Sequence, residues 1–262
     1  KRPGHTVVST RNPSMRSILV SGTALLAAAA LLFGLTACGA PATVPTPTET
    51  PVAAPVPVPV PVVTVAPVAG QVATASIANV TAYDAPEGVA LVGFANPIAS
   101  GAPLTFFVET EKDGWLRVRL PMRPNGSLGW IRSSEVTLQT LNYSLLVSTA
   151  EHSVTLLKDD VVVETFPAAV GTGDTPTPLG EFFLTELLAP TNGGYGPFAY
   201  GISAFSEVLN TFGGGPGQIG IHGTDDAASI GQSASHGCIR LHNDAITMLA
   251  NLLPLGTPIT IE

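Results

Sequence analysis

The chain has 262 residues, of which only 11% are charged, and a formal net charge of −8. That balance offers no basic surface for a nucleic-acid backbone, so nucleic acid is excluded as a partner. Twenty-four prolines and 27 glycines among abundant Val and Thr predict β structure and an extended linker rather than helical bundles. The length allows one or two folded domains.

Residues 1–38 read as an export segment. Met15 is taken as the true start, with Arg16 as a short basic region, an Ala/Leu run from Ile18 to Ala37, and Leu35-Thr36-Ala37-Cys38-Gly39 closing it. Such a segment is an address rather than part of a fold. Leu-Thr-Ala-Cys resembles the lipobox of bacterial lipoproteins. That resemblance implies lipidation of Cys38 and a chain held at the extracytoplasmic face of the membrane, facing the cell wall. A plain membrane-spanning helix is the alternative reading, since about 20 apolar residues suffice to span a bilayer.

Residues 39–70 form a Pro-rich linker. Alternating Val-Pro cannot pair as a central strand, because every second backbone N–H is missing; an extended polyproline-type spacer is expected.

Residues 71–138 should make a small β module, with strands at Ile77 to Tyr83, Leu104 to Glu109, Trp115 to Leu120 and Leu128 to Arg132. Pro124-Asn125-Gly126 is a hairpin turn in which Asn-Gly supplies positive φ. The run from Trp115 to Leu120 followed by Gly129-Trp130-Ile131 resembles a bacterial SH3-type module. Trp115 and Trp130 either line a groove or belong to the core.

Residues 141–262 carry the chemistry. Strands are expected at Tyr143 to Ser148, His152 to Leu157 and Val161 to Phe166, the last two joined by a Lys158-Asp159-Asp160 turn, and at Gly180 to Leu187. Pro190 to Gly201 and Phe212 to Gly217 suit mobile loops over a site. One helix is expected, Asp244 to Leu253, with Asn243 as N-cap and Ile246, Leu249, Ala250 and Leu253 on one face; Leu255 to Ile261 would be a closing strand.

The chemical signal is His222-Gly223-Thr224 followed by Ser235-His236-Gly237-Cys238. A thiol attacks as thiolate, and a nearby imidazole takes the proton. Gly237 before Cys238 lets the backbone approach a substrate, and the two successive N–H groups of Gly237 and Cys238 are candidate oxyanion donors. His222 ends an apolar strand, Ile219 to Ile221, which suits a fixed base. His236 either shapes the turn or is itself the base. His222, His236, Cys238 and His242 could in principle bind zinc, but only Cys238 with His242 approaches the usual ligand spacing; no metal and no cofactor is assigned.

His-Gly-Thr, Ser-His-Gly-Cys, and then Arg240, Asn243, Asp244 and Ala245 together resemble the catalytic signature of the L,D-transpeptidases. The likeness extends upstream through residues 174–182 and 196–203. It implies a fold that is mainly β, a small SH3-like β-barrel preceding a β-sandwich or open-barrel catalytic domain with one short helix. It also implies peptidoglycan stem peptides as substrates, a Cys238 thioester, 3→3 cross-links and acylation by carbapenems. In that reading His222 is the base, oriented by the Gly223 carbonyl. Ser235 and Tyr200 contribute to substrate binding, Tyr200 or its main chain as a further oxyanion donor, and Arg240 either holds a substrate carboxylate or supports the loop. A cysteine peptidase or amidase that passes the acyl group to water, and a non-catalytic wall-binding lipoprotein, are the rival readings.

Overall fold

The computed structural model describes residues 70–262. The expectations for the export segment, the linker and Cys38 lie outside the described residues. Among the described residues no helix is long and apolar enough to cross a membrane.

The chain first builds a seven-stranded antiparallel sheet: β1 (Gln71–Ala75), β2 (Asn79–Tyr83), β3 (Ala90–Ala95), β4 (Thr105–Lys112), β5 (Trp115–Arg119), β6 (Leu128–Arg132) and β7 (Val136–Thr140), in spatial order β3-β2-β6-β5-β4-β1-β7. Three of these strands, β1, β3 and β7, escape the pattern of alternating apolar residues. β3 has no fully buried position and β7 is mostly exposed, so neither has a clear inward face to show in sequence. The sheet encloses its own core of Val80, Leu104, Phe106, Leu116, Val118 and Ile131. Trp115 is buried, its ring edge-on to Tyr83 at 5.3 Å and covered by the Arg132 guanidinium. It packs rather than lining a groove, whereas Trp130 is half-buried.

The second part follows with β8 (Tyr143–Ser148), β9 (Ser153–Lys158), β10 (Val161–Gly171), β11 (Gly180–Leu188), β12 (Ala199–Phe205), β13 (Gln218–His222), β14 (Ser233–Ser235), β15 (Ile239–Leu241), helix α1 (Asn243–Leu252) and β16 (Pro258–Ile261). Asp159 and Asp160 both take positive φ, 50° and 61°, as a tight two-residue hairpin turn requires. The nine strands run β14-β10-β15-β13-β12-β11-β16-β8-β9, and β9 also pairs with β10. The ring closes because β10 is long enough to serve three neighbours: its first half pairs with β9 and its second with β15 and β14. β11 divides its pairing likewise, between β16 and β12. Two sheets thus share two strands around one apolar core, onto which α1 lays Ala245, Ile246 and Leu249.

The helix begins one residue before the expected start. His242 occupies the cap position without a side-chain cap hydrogen bond. Asn243 lies inside the helix, and its carbonyl Oδ1 instead accepts from Thr224 N at 2.9 Å. The expected N-cap is therefore a tether between the helix and the His222 turn.

Polar side chains of the first sheet grip the second part. The Arg123 guanidinium donates to the carbonyls of Pro216, Ser206 and Leu209 at 2.6–2.9 Å and lies over the Phe205 ring. Asn125 makes a reciprocal pair with the Phe205 backbone, its amide donating to the carbonyl and its Oδ1 accepting from the N–H. Arg119 bridges Glu109 and Glu181. The Asn-Gly turn thus does more than reverse the chain: it presents Arg123 and Asn125 to both ends of the 206–217 loop. Arg123→Ala should destabilise the protein by about 2 kcal/mol, because three carbonyls lose a charged donor. Amide hydrogen exchange should quicken across residues 206–217, and unchanged exchange there would remove the clamp from the account.

Candidate functional site

The site is built where β13 and β15 run parallel, with Ile221 opposite Ile239 and His222 opposite Arg240. One step back along both strands, Gly220 and Cys238 become neighbours. Cys238 is the single cysteine among the described residues, half-buried, and it shares with His222 the lining of two adjoining cavities. The larger has a volume of about 400 Å³.

His222 is 5% exposed. Its Nδ1 donates to the Gly223 carbonyl, which leaves Nε2 as the acceptor nitrogen. Burial, with a smaller contribution from the Arg240 charge, pushes its pKa below the ordinary imidazole value against the pull of the Gly223 carbonyl. Burial likewise pushes the Cys238 thiol up, against a backbone hydrogen bond from Gly220 and the Arg240 charge. Each group alone therefore favours its neutral form in the resting protein.

The Cys238 turn is assembled by backbone contacts. Gly237 has φ +115°, and a Cβ there would meet Ile219 Cδ1 at 3.0 Å, so glycine is required on both counts. Thr177, buried, accepts from Gly171 N and donates to the Gly237 carbonyl, both at 2.9 Å. Ser235 is also buried; its hydroxyl donates to the Cys238 carbonyl and accepts from Gly237 N at 3.1 Å. Two expectations need correction as a result. Ser235 spends its hydroxyl inside the turn, not on a substrate, and the Gly237 N–H is already committed to Ser235. The Cys238 N–H is the donor this turn leaves open.

Tyr200 needs correction too. It is 1% exposed, sits opposite Ile221 in the β12–β13 pair, and donates its hydroxyl to the carbonyls of Leu249 and Leu253 at 3.2 and 2.8 Å. Leu249 O also accepts from the Leu253 N–H, whereas the Leu253 carbonyl, past the last turn of α1, has no intrahelical partner; burial drives the phenol pKa far up. The side-chain hydroxyl braces the helix and is not free for a substrate, while the residue itself still lines the larger cavity.

The tyrosine that faces the site is Tyr195, which sequence reasoning passed over. Its ring lies 4.6 Å from that of His222, and it lines both cavities with Cys238. Burial, and then the nearby Cys238, raise its pKa, so it stays an O–H donor. A short Asn192-capped turn, Gly193–Tyr195, carries it. Gly196 follows with φ +63°; a Cβ there would fall 2.3 Å from Asn243 Oδ1 and 2.6 Å from Gly223 Cα. A Cβ on Gly223 would meet the same Asn243 oxygen at 2.3 Å. Gly196, Gly223 and Asn243 therefore interlock three segments directly behind His222. The only sequence signal for Tyr195 was its place in a Gly-rich stretch.

His236 is exposed, its ring stacked on Phe212 at 5.3 Å, and with Phe212 it closes the far side of the smaller cavity. Arg240 is half-buried and loosely paired with Asp226 at 3.8 Å. His242 lines a different cavity, beside Glu164 and Asp244. Among the described residues no three His, Cys, Asp or Glu side chains gather into a donor cluster.

A buried imidazole with a fixed tautomer, opening on the same cavity as a half-buried thiol in a Gly-flanked turn, defines a site built for proton transfer between sulfur and nitrogen. Residues 142–261 match the family described as YkuD, L,D-transpeptidase catalytic domain. The chain is 38% identical over 123 residues to the candidate L,D-transpeptidase YkuD of Bacillus subtilis, covering 47% of this chain and 68% of that protein. It is 36% identical over 122 residues to the Bacillus licheniformis protein of the same name, covering 47% and 67%. Among solved structures, L,D-transpeptidase 3 from Mycobacterium tuberculosis with a faropenem-derived adduct aligns over 75% of this chain and 93% of that one, at 14% identity and a TM-score of 0.44. The chain belongs to the L,D-transpeptidase catalytic-domain family.

Gly196→Ala forces a methyl group into backbone and amide atoms at a positive-φ position. It should destabilise the protein by about 2–4 kcal/mol and reduce activity at least tenfold by displacing Tyr195. Thermal melting and turnover together check this; wild-type values for both would show that the interlock has slack.

Proposed function

We propose that this chain is a peptidoglycan L,D-transpeptidase that forms 3→3 cross-links through a thioester on Cys238. The observation that carries the reading is the shared cavity of Cys238 and His222, with Nδ1 of His222 tied to the Gly223 carbonyl. Family membership supports it.

The chemistry follows from the groups present. Cys238 Sγ attacks the diaminopimelate carbonyl of a stem tetrapeptide while its proton passes to His222 Nε2. Because burial keeps thiol and imidazole neutral at rest, proton transfer accompanies the attack rather than preceding it. The Cys238 N–H and the Tyr195 hydroxyl are donors for the resulting oxyanion. Collapse breaks the C–N bond, and terminal D-Ala leaves as an amine carrying the proton from His222. A side-chain amine of a second stem then attacks the thioester, gives a proton to His222, and releases Cys238 as the thiol. Arg240, beside His222, lowers the thiol pKa and is also suited to a substrate carboxylate.

The rest of the chain fits work at a wall. Lipidation of Cys38 would anchor the protein at the extracytoplasmic face of the membrane, the Pro-rich linker would give it reach, and residues 71–138 would serve as an SH3-type module beside the catalytic domain.

Incubation with meropenem should add one adduct by intact mass, mapping to Cys238 and missing from Cys238→Ala. Disaccharide tetrapeptides should yield cross-linked dimer rather than free tripeptide; tripeptide alone would mean that water is the acceptor. Tyr195→Phe should lower kcat/KM by about 10²-fold, in the range for losing one oxyanion donor. The pH profile of kcat/KM has a sign set by burial. Protonated His222 cannot accept the thiol proton, so activity falls on the acid side; with its pKa depressed, that limb should lie below about 6.5. The raised thiol pKa should put the alkaline limb above the ordinary thiol value. A resting thiolate–imidazolium pair would invert the order, with the lower limb belonging to the thiol.

A further inference from the structure

The cavity that contains Cys238 does not end at the catalytic loops. Glu186 and Gln218 line it, and they also line a second cavity of about 400 Å³ at the junction of the two folded parts. Both volumes fall within the usual range of ligand sites. The first sheet supplies Phe94, Ile98 and Leu104 to the junction cavity, and the second part supplies Phe205 and Pro216. Arg123 and Asn125 hold those two walls together.

Two polar groups along this trough lack protein partners. Glu186 is half-buried at the junction of the two cavities; its backbone pairs in the β11–β12 ladder, but its carboxylate takes part in none of the side-chain hydrogen bonds or ion pairs of the described residues. Its carboxylate lies across Gly201, where a Cβ would meet Glu186 Oε1 at 2.6 Å and Gln218 Nε2 at 3.0 Å. Glycine at 201 is thus what lets the carboxylate occupy the floor. Gln218 cannot satisfy it, because its amide nitrogen donates to Thr185 Oγ1 and the Ile202 carbonyl. The second group is Thr105, on the wall of the junction cavity, 4% exposed and with its hydroxyl unpartnered. Buried polar groups are normally satisfied, so an orphan beside an open cavity marks a place where a ligand or ordered water completes the set.

We propose that this trough binds the amine-bearing peptide strand that accepts the acyl group, with Glu186 receiving its ammonium and the junction cavity housing the rest of the strand. The inference rests on the transpeptidase reading. An acidic, half-desolvated site favours a cation over the neutral or anionic parts of a peptide, and the apolar walls of the junction suit its aliphatic stems. The first sheet thereby becomes part of the substrate site. Glu186 binds and orients the amine as ammonium; the extra proton passes by way of the Glu186 carboxylate to bulk water before attack on the thioester, and His222 takes the proton released in that step.

Calorimetry on the Cys238→Ala protein separates binding from chemistry. The probe is a stem tetrapeptide with a free side-chain amine, compared with its N-acetylated twin, which carries no positive charge there. Adding E186Q should weaken binding of the free-amine peptide about tenfold while leaving the acetylated one within twofold. Gly93→Trp adds bulk where a Cβ meets nothing within 4 Å and at ordinary φ, so the fold tolerates it. It should weaken both peptides, because it fills the junction cavity. Equal affinity of the E186Q and parent proteins for the free-amine peptide overturns Glu186 as the ammonium site, and unchanged binding in Gly93→Trp overturns the junction as part of the trough. A wild-type protein that forms no acyl adduct would instead sink the proposed function, a result the binding measurements do not depend on.

Discussion

The site depends on a very short stretch of parallel pairing. β13 and β15 meet through only two residue pairs, Ile221 with Ile239 and His222 with Arg240. A parallel register of this kind sets three relationships at once. His222 and Cys238 open on one cavity, the Gly220 backbone reaches the sulfur, and the Arg240 charge lies beside both titrating groups. A slip of one residue would turn His222 to the opposite face of its strand, since successive side chains alternate. The surrounding devices all resist such a slip. Thr177 and Ser235 fill the hydrogen-bonding needs of the Cys238 turn, Asn243 ties the helix to Thr224, and the α1 face of Ala245, Ile246 and Leu249 anchors that helix in the core.

Burial shapes the chemistry of the pair. Exposed, a thiol and an imidazole would each sit near their ordinary values. Here desolvation lowers one and raises the other, so neither charge stands ready-made in the resting protein. Arg240 offsets part of the cost on the thiol while adding to the depression of the histidine. The balance leaves an imidazole free to accept a proton at neutral pH beside a thiol that keeps its own, as the proposed reaction requires. Tyr195 belongs to the same logic. Its phenol, kept protonated by burial and by the nearby sulfur, is a donor that costs nothing to hold ready.

The first sheet is more than an attached neighbour. Its Arg123 and Asn125 contact main-chain atoms, not exchangeable surface side chains, at both ends of the loop that carries Phe212. Phe212 in turn stacks on His236 and lines both cavities around Cys238. A path of direct contacts therefore runs from a turn in the first sheet to the rim of the site. The same sheet supplies one wall of the junction cavity, so the proposed binding trough would draw on the interface that positions the 206–217 loop.

Local patterns decided a good deal. Alternating apolar residues located β8, β5 and β6 to within a residue, Lys158-Asp159-Asp160 marked a tight turn, and the spacing of Ile246 and Leu249 marked the one helix, because these signals arise from contacts between residues close in the chain. That a thiol and an imidazole would open on one cavity was legible in the same way, from residue types whose chemistry is intrinsic. Roles that hang on direction were not. Tyr200 and Tyr195 are five residues apart in the same stretch, and nothing local tells which ring turns inward to hold the carbonyls of α1 and which faces Cys238. Asn243 looks like a helix cap until Thr224, nineteen residues away, claims its oxygen, and the Gly237 N–H looks free until Ser235 takes it. β1, β3 and β7 were invisible because their strand character comes from partners across the sheet. Sequence determined which groups are present and what each can do; the tertiary structure decided which of them are already spent on one another, because hydrogen-bond partners and desolvation are set by neighbours that only folding brings together.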